Sequence, residues 1–464
     1  MMDDTLRGKR LLVLGGNPWA DIIKKIVDAY GIVMIAAGND PGTKLFQYAD
    51  ETYVADSTDA SSMKKLIVEK KIDGVYMGGS EPVISAACDY ISSLGLPCYC
   101  TRARWEMLQD KKKFKRLCIE HGLPVVPQMT VDENDMESFP PENFPVITKP
   151  SDGSGSRGFS VCRNMEELKE GYRFAKESSF SGSVIVEKFV NNRSVIVLYT
   201  VCAGKILYSG LSDKYPVKFE KEGSYVGGLY VFESSAAGEF REKYEAALQA
   251  MITELGIRSG TFWIEAFHDS GDFCFNEAGF RYGGIATMYP AAYLSGINQV
   301  EADIYYALTG RCKTEGWIPV FEETQTSKTH YAIYPVYVSS GVISEVVMAP
   351  EYENEVVRIE RSGIGDTVKA NGSFGQAFAL IHMAFDSCRE LVNTIAEIQR
   401  TVHVYDENGK DMVLNMFALS RIPPFHAFSD DKEERRTECS AACRMHGSGH
   451  FSAVYVKEKG HFPA

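Results

Sequence analysis

No stretch of this 464-residue chain stays apolar long enough to cross a membrane. The first apolar run begins at Leu11 behind a polar MMDDTLRGKR start and ends before Asn17, too short also for the core of a secretion signal. Positive charge is scarce: 49 Lys and Arg stand against 62 Asp and Glu, a formal net charge of -13. Sequence-independent binding to phosphate backbones needs clustered cations, so no nucleic-acid partner is expected. The eleven cysteines, Cys88 to Cys443, are odd in number and lack framework spacing. That argues against a disulfide scaffold and for a reducing, cytoplasmic setting with no membrane partner. A dinucleotide signature is missing too, because Gly15-Gly16-Asn17-Pro18 makes a tight turn without the G-x-G-x-x-G spacing.

What is present is ordinary globular composition, 45% hydrophobic and 24% charged, with length for several packed domains. Residues 10–110 alternate short apolar runs with amphipathic stretches: RLLVLGG, ADIIKKIVDAYG, IVMIAAG, SSMKKLIVEKK, GVYMGG, VISAACDYISSLG and LPCYC. Strand and helix in alternation predict a Rossmann-like parallel sheet domain over 1–109. KKKFKRLCIEHG then reads as a helix closed by Gly122 and Pro124, opening a region over 110–320 dominated by short alternating strands. Residues 321–424 read as a smaller, separate mixed α/β domain. It has strands YAIYPVYV and EVVRIE, a helical run QAFALIHMAFDSCRELVNTIAEIQRTV and the turn Asp406-Glu407-Asn408-Gly409. The fold class is therefore α/β and α+β. The polar tail, 425–464, holds Cys439, Cys443, His446 and His450, but it lacks the long gap between ligand pairs of common zinc fingers and is read as incidental.

Three segments carry chemistry. In FPVITKPSDGSGSRGFSVC a strand ends in Lys149, and a loop with Gly153, Gly155 and Gly158 precedes a second strand. Such a loop folds over phosphates with backbone donors and a lysine charge, and a strand follows it rather than the helix of a Walker A loop. In TFWIEAFHDSGDFCFNEA, Glu265 and Glu277 are equidistant from Gly271, so a hairpin with its turn at His268–Asp272 sets them opposite each other. Their Cβ atoms would then lie roughly 4.5–5.5 Å apart, where like charges repel and a cation such as Mg²⁺ is needed. Arg281 and Gly283-Gly284 add an anion-binding side chain and close backbone access beside them. Between the two segments, Glu187-Lys188-Phe189-Val190 and the turn Asn191-Asn192 suit an adenine hinge with apolar walls. His268 reads as a surface turn residue.

Taken in order, these segments resemble the ATP-grasp superfamily over roughly residues 8–320, and within it the amino-acid ligase and carbamoyl-phosphate-synthase-like branch. The resemblance implies a preceding Rossmann-like domain, an ATP-grasp domain over 110–320 and a C-terminal domain. It also implies roles. Lys111, after Asp110, and Lys149 hold phosphates; Ser154, Gly155, Ser156 and Gly158 form the lid; Glu187, Lys188, Phe189 and Val190 contact adenine. Glu265 and Glu277 hold Mg²⁺ or Mn²⁺, and Arg281 binds the substrate carboxylate or steadies the tetrahedral intermediate.

The implied activity is ATP-dependent joining of a small carboxylate, such as an amino acid, to an amine through an acyl phosphate, by a homodimer. Two departures stand out. The usual E-x-N-P-R is here Glu277-Ala278-Gly279-Phe280-Arg281, and no acidic residue for ribose appears in Ser194-Val195-Ile196-Val197. They keep two other expectations open: a bicarbonate-using carboxylase or carbamoyl-phosphate-type enzyme, and a catalytically weak ATP-binding regulatory protein.

Overall fold

The computed structural model describes residues 4–15, 17–152, 158–190, 193–220, 224–269 and 272–422. The polar tail with its cysteines and histidines, the turn Asn191-Asn192, and Ser154, Gly155 and Ser156 of the glycine-rich loop lie outside the described residues.

The chain opens with β1 (Arg10–Leu14), α1 (Ala20–Tyr30), β2 (Val33–Gly38), α2 (Lys44–Tyr48), β3 (Glu51–Val54), α3 (Ala60–Glu69), β4 (Gly74–Tyr76) and α4 (Glu81–Ser93). Strands pair in parallel in the order β3-β2-β1-β4. Leu11 to Leu14 are all buried, as expected of a strand covered on both faces, and α1 turns Ile22, Ile23, Ile26 and Val27 inward. The run LPCYC forms no strand. Pro97 supplies no N–H, and the Cys98 and Cys100 thiols turn to the carbonyls of Cys100 and Thr101.

After α5 (Arg102–Gln109) and α6 (Lys111–Glu120), β5 (Gln128–Met129), β6 (Val146–Pro150), β7 (Ser160–Cys162), α7 (Met165–Ser178) and β8 (Val184–Lys188) make a small antiparallel sheet, β5-β8-β6-β7. A large sheet follows, built first from β9 (Arg193–Cys202), β10 (Lys205–Lys218), β11 (Tyr225–Phe232), then, after α8 (Ala237–Glu254), from β12 (Ser259–Asp269) and β13 (Asp272–Gly279). Helices α9 (Met288–Ser295) and α10 (Gln299–Thr309) lead to β14 (His330–Val338), β15 (Gly341–Val347), β16 (Glu355–Glu360), β17 (Thr367–Val368), β18 (Ala377–Phe385), α11 (Cys388–Thr401), β19 (His403–Asp406) and β20 (Val413–Leu414). The large sheet runs β13-β12-β9-β10-β11-β14-β18-β16, so strands from beyond residue 321 extend the sheet begun by β9. Among the described residues no helix is long and apolar enough to cross a membrane.

Two expectations need correction. Residues 110–320 hold substantial helix as well as strand: in α8, Phe240, Tyr244, Leu248, Met251 and Ile252 line one face at helical spacing. The run AFALIHMAF is the strand β18, buried at every position, and the helix begins only at Cys388, capped by the Ser387 side chain on Glu390 N–H. A strand buried on both faces has no alternation to distinguish it from a buried helix.

Candidate active site

The N-terminus of α6, the end of β6, the end of β8 and the β12–β13 hairpin converge on one cluster of charges. Asp110 caps α6 by accepting the Lys113 N–H at 2.9 Å, which fixes Lys111 on the first turn. There the Lys111 ammonium lies 3.2 Å from Glu277 Oε2. Lys149, at the end of β6, places its ammonium 2.8 Å from Glu187 Oε2 and 2.8 Å from Asn276 Oδ1. Glu187, on β8 opposite Ile147, is fully buried, and its other oxygen accepts from Lys115, one helical turn beyond Lys111.

The hairpin has a β-bulge. Asp269 pairs with Asp272 and Ala266 with Phe275, which in unbroken alternation would put Asn276 opposite Glu265. One extra residue on β13 shifts the register, and Glu265 faces Glu277. Two consecutive side chains, Asn276 and Glu277, thereby serve one cluster, the first meeting Lys149 and the second Lys111. Glu265 is buried and its Oε1 accepts from Ser194 Oγ and from Lys214 Nζ, both at 2.9 Å.

These contacts set the protonation states. Burial alone would raise the Glu277 carboxyl, but Lys111, Lys149 and Lys214 outweigh it and hold the group below its usual range. Glu187 is lowered in the same way, its burial outweighed by Lys149 and Lys115. Lys115 is pulled down to about 8 by burial and by the Lys149 charge, against the pull of Glu187. Lys214 is raised: burial opposes its charge, yet the Glu265 carboxylate prevails.

The other expected residues are placed as follows. Gly158 has φ +75°, and a Cβ there would lie 2.5 Å from Ser178 Cβ, so only glycine passes between α7 and Pro150. In the hinge, Glu187 points into the lysine cluster, while the N–H groups of Lys188 and Phe189 donate to the carbonyls of Pro127 and Pro145 at 3.1 and 3.0 Å. An adenine would have to find its partners beyond those two donors. Arg281 reaches away from Glu277 to Glu81 at the start of α4, with Nε–Oε1 at 3.1 Å, and its guanidinium lies 5.6 Å from the Trp263 ring centre. His268 is not in the turn; it sits on β12, half-buried and stacked 4.2 Å from the Phe273 ring.

Gly279 stands where the usual pattern has asparagine, and the structure gives a steric reason: a Cβ there would come within 2.5 Å of the Trp263 indole. Sequence reasoning missed Lys115, Lys214, Ser194 and Asn276. Lys115 was findable, being four residues after Lys111 and so on the same helix face. Ser194 and Lys214 are register partners across β9 and β10, which no local pattern reveals.

The donor set suits Mg²⁺: two carboxylates facing each other supply hard oxygens, and each is now balanced by an ammonium where a cation would sit. Among the described residues no three His, Cys, Asp or Glu side chains gather as a metal cluster, so phosphate and water oxygens would complete the shell.

Residues 110–201 match the family model of the carbamoyl-phosphate synthase L chain ATP binding domain. A formate-dependent phosphoribosylglycinamide formyltransferase of Bacillus velezensis is 26% identical over 281 residues, covering 58% of this chain and 70% of that protein. Among solved structures, the biotin carboxylase domain of the 2-oxoglutarate carboxylase of Hydrogenobacter thermophilus superposes with a TM-score of 0.69 at 17% identity, covering 93% of this chain and 98% of that one. An L-amino acid ligase from Bacillus licheniformis gives 0.67 at 18% identity, covering 87% and 100%.

Proposed function

We propose, from the premise that the chain belongs to the ATP-grasp superfamily of ATP- and Mg²⁺-dependent ligases, that it joins a small carboxylate, such as an amino acid, to an amine through an acyl phosphate. The observation that carries the reading is the facing pair Glu265 and Glu277, each in contact with an ammonium, beside the Lys149–Glu187–Lys115 triad.

In this reading Lys111 and Lys149 leave their carboxylate partners for phosphate oxygens, and Glu265 and Glu277 hold the metal, whose chemistry is to neutralise charge on the transferred phosphoryl group. The substrate carboxylate oxygen attacks the γ-phosphorus and ADP leaves. The amine then attacks the acyl carbon, phosphate leaves with the C–O bond electrons, and the amine loses a proton. Asn276 and Glu187 hold Lys149 in place, and Lys214 is paired with Glu265. Arg281, tied to Glu81 at the start of α4, would exchange that partner for the carboxylate of the substrate. Ser154, Gly155, Ser156 and Gly158 supply the lid, and Lys188 to Val190 border the adenine.

The relative named for formate and the neighbour named for L-amino acids both support a carboxylate as the activated group. The test is Mg²⁺-dependent release of ADP and phosphate with panels of amino acids, small carboxylates, amines and bicarbonate. Turnover that needs a carboxylate with an amine, and that falls about 10²–10³-fold in Lys149→Ala and Glu277→Gln, is expected. Stimulation by bicarbonate alone would transfer the case to a carboxylase, and ATP binding without turnover on any pair would favour a regulatory protein.

A further inference from the structure

At the far end of β9 from the charge cluster, two cysteines from distant parts of the chain meet. Cys202 is the last residue of β9, buried beside Leu207 and Ile297 with Cys312 and Trp317 packed against them. Cys312 lies just past Gly310, which closes α10 in the left-handed conformation at φ +66°. The two loops interlock through sulfur: the Cys202 thiol donates to Lys313 O at 3.2 Å, and the Ala203 N–H donates to Cys312 Sγ at 3.1 Å. Cys312 Sγ also lies 3.3 Å from Arg258 O. Ser259, paired with Cys202 across β9 and β12, completes the surround.

We infer that Cys202 and Cys312 form a reversible dithiol–disulfide site, in which Cys312 is the thiol oxidised first by hydrogen peroxide and Cys202 is its resolving partner. The Cys312 thiolate attacks one peroxide oxygen, the O–O bond breaks, and with a proton the products are a sulfenic acid and water. The Cys202 sulfur then attacks that sulfenic sulfur. The S–O bond breaks, the Cys202 proton leaves with the oxygen as a second water, and the S–S bond closes. Two electrons pass from the two sulfurs to the peroxide.

The site has the polarity this needs. The neighbouring Cys202 side chain, outweighing burial, and then the Ala203 amide, the Ser259 hydroxyl and the Arg258 charge pull the Cys312 thiol down to about 6. Burial pushes Cys88, Cys98, Cys100, Cys118, Cys162, Cys274 and Cys388 the other way. Cys312 is partly exposed, as a first target must be, while Cys202 is buried behind it. Ser194, at the opposite end of β9, touches Glu265, which places the pair about 26 Å from the carboxylates at strand spacing. The bond would fasten the β9–β10 turn to the segment after α10 without entering the charge cluster.

The test uses the whole reduced protein, treated with one equivalent of hydrogen peroxide, alkylated and mapped by mass spectrometry. The expected product joins the peptides of Cys202 and Cys312, lighter by two hydrogens and restored by dithiothreitol. In the reduced protein, Cys312 is expected to be alkylated at neutral pH about tenfold faster than the other cysteines. Cys202→Ser should halt the reaction at a Cys312 sulfenic acid trapped by dimedone. Oxidation at other cysteines while Cys312 stays a thiol, or passage of Cys312 to sulfinic acid with Cys202 still alkylated in the wild type, would overturn the assignment. The wild-type map decides this even if a variant misfolds.

Discussion

Glu187 is a fully buried carboxylate between two buried ammoniums, so the three residues do not contribute equally to stability. Lys115→Met leaves Glu187 paired with Lys149, whereas Glu187→Gln leaves two like charges facing each other with neither of their direct ion pairs. Removing one partner of a buried ion pair costs about 3–5 kcal/mol, and Glu187→Gln is expected at or above that figure, with Lys115→Met well below it. Urea unfolding of the two variants checks the order. Gly279 gives a second residue-scale expectation: Gly279→Ala drives a methyl into the Trp263 ring and should cost about 1–3 kcal/mol, most of it recovered when Trp263→Ala is added. A double-mutant cycle by thermal unfolding measures that coupling. From the letters alone, Gly279 reads as an unexplained departure, because the indole that occupies its side-chain space is sixteen residues upstream on the neighbouring strand.

Elements explain why the hairpin was legible and its details were not. Equal spacing of Glu265 and Glu277 about Gly271 pairs them correctly, but the pairing is reached with Asp269 opposite Asp272 and a bulge beyond, devices that leave no mark in composition. The bulge is what presents Asn276 to Lys149. Asn276→Ala should therefore leave the fold intact and raise the KM for ATP about tenfold, close to the loss of one hydrogen bond to a charged group. Steady-state kinetics beside circular dichroism checks both halves. The alternating first unit was readable because strand and helix periods succeed each other there. Helix α8 was equally readable, with its apolar residues at helical spacing, but strand signals around it drew the reading. Strand β18 was not, since burial on both faces erases the alternation.

For the whole molecule, the parallel sheet is joined to the rest through polar contacts that sequence pattern cannot show: Lys9 Nζ donates to Leu308 O at 2.7 Å and Tyr30 OH to Glu301 Oε1 at 2.5 Å. On the far side of that junction, Tyr282 OH donates to Asp303 on α10. Asp303 has the consequence with a pH. Burial raises its carboxyl to about 7, against the lowering effect of Tyr282, so the fold binds this proton more tightly than the unfolded chain does. Stability from this group is full below the unfolded value near 3.8 and is lost as pH rises towards 7. Asp303→Asn should melt like the wild type at pH 4 and above it at pH 8, by up to about 4 kcal/mol of stability. Differential scanning calorimetry at the two pH values is the check.

The carboxylates of the charge cluster already carry their counter-ions on the same chain, Lys111 on Glu277 and Lys214 on Glu265. In the proposed roles such a site would behave as an ion exchanger. A free magnesium ion has to evict tethered ammoniums, whose local concentration no dilution lowers, and an incoming polyphosphate has to draw lysines off carboxylates. Arriving together, metal and nucleotide trade partners with the protein and leave no charge stranded. In the proposed roles, titration calorimetry should find magnesium binding weak alone and strengthened about tenfold or more by nucleotide, with the nucleotide gaining by the same factor from the metal.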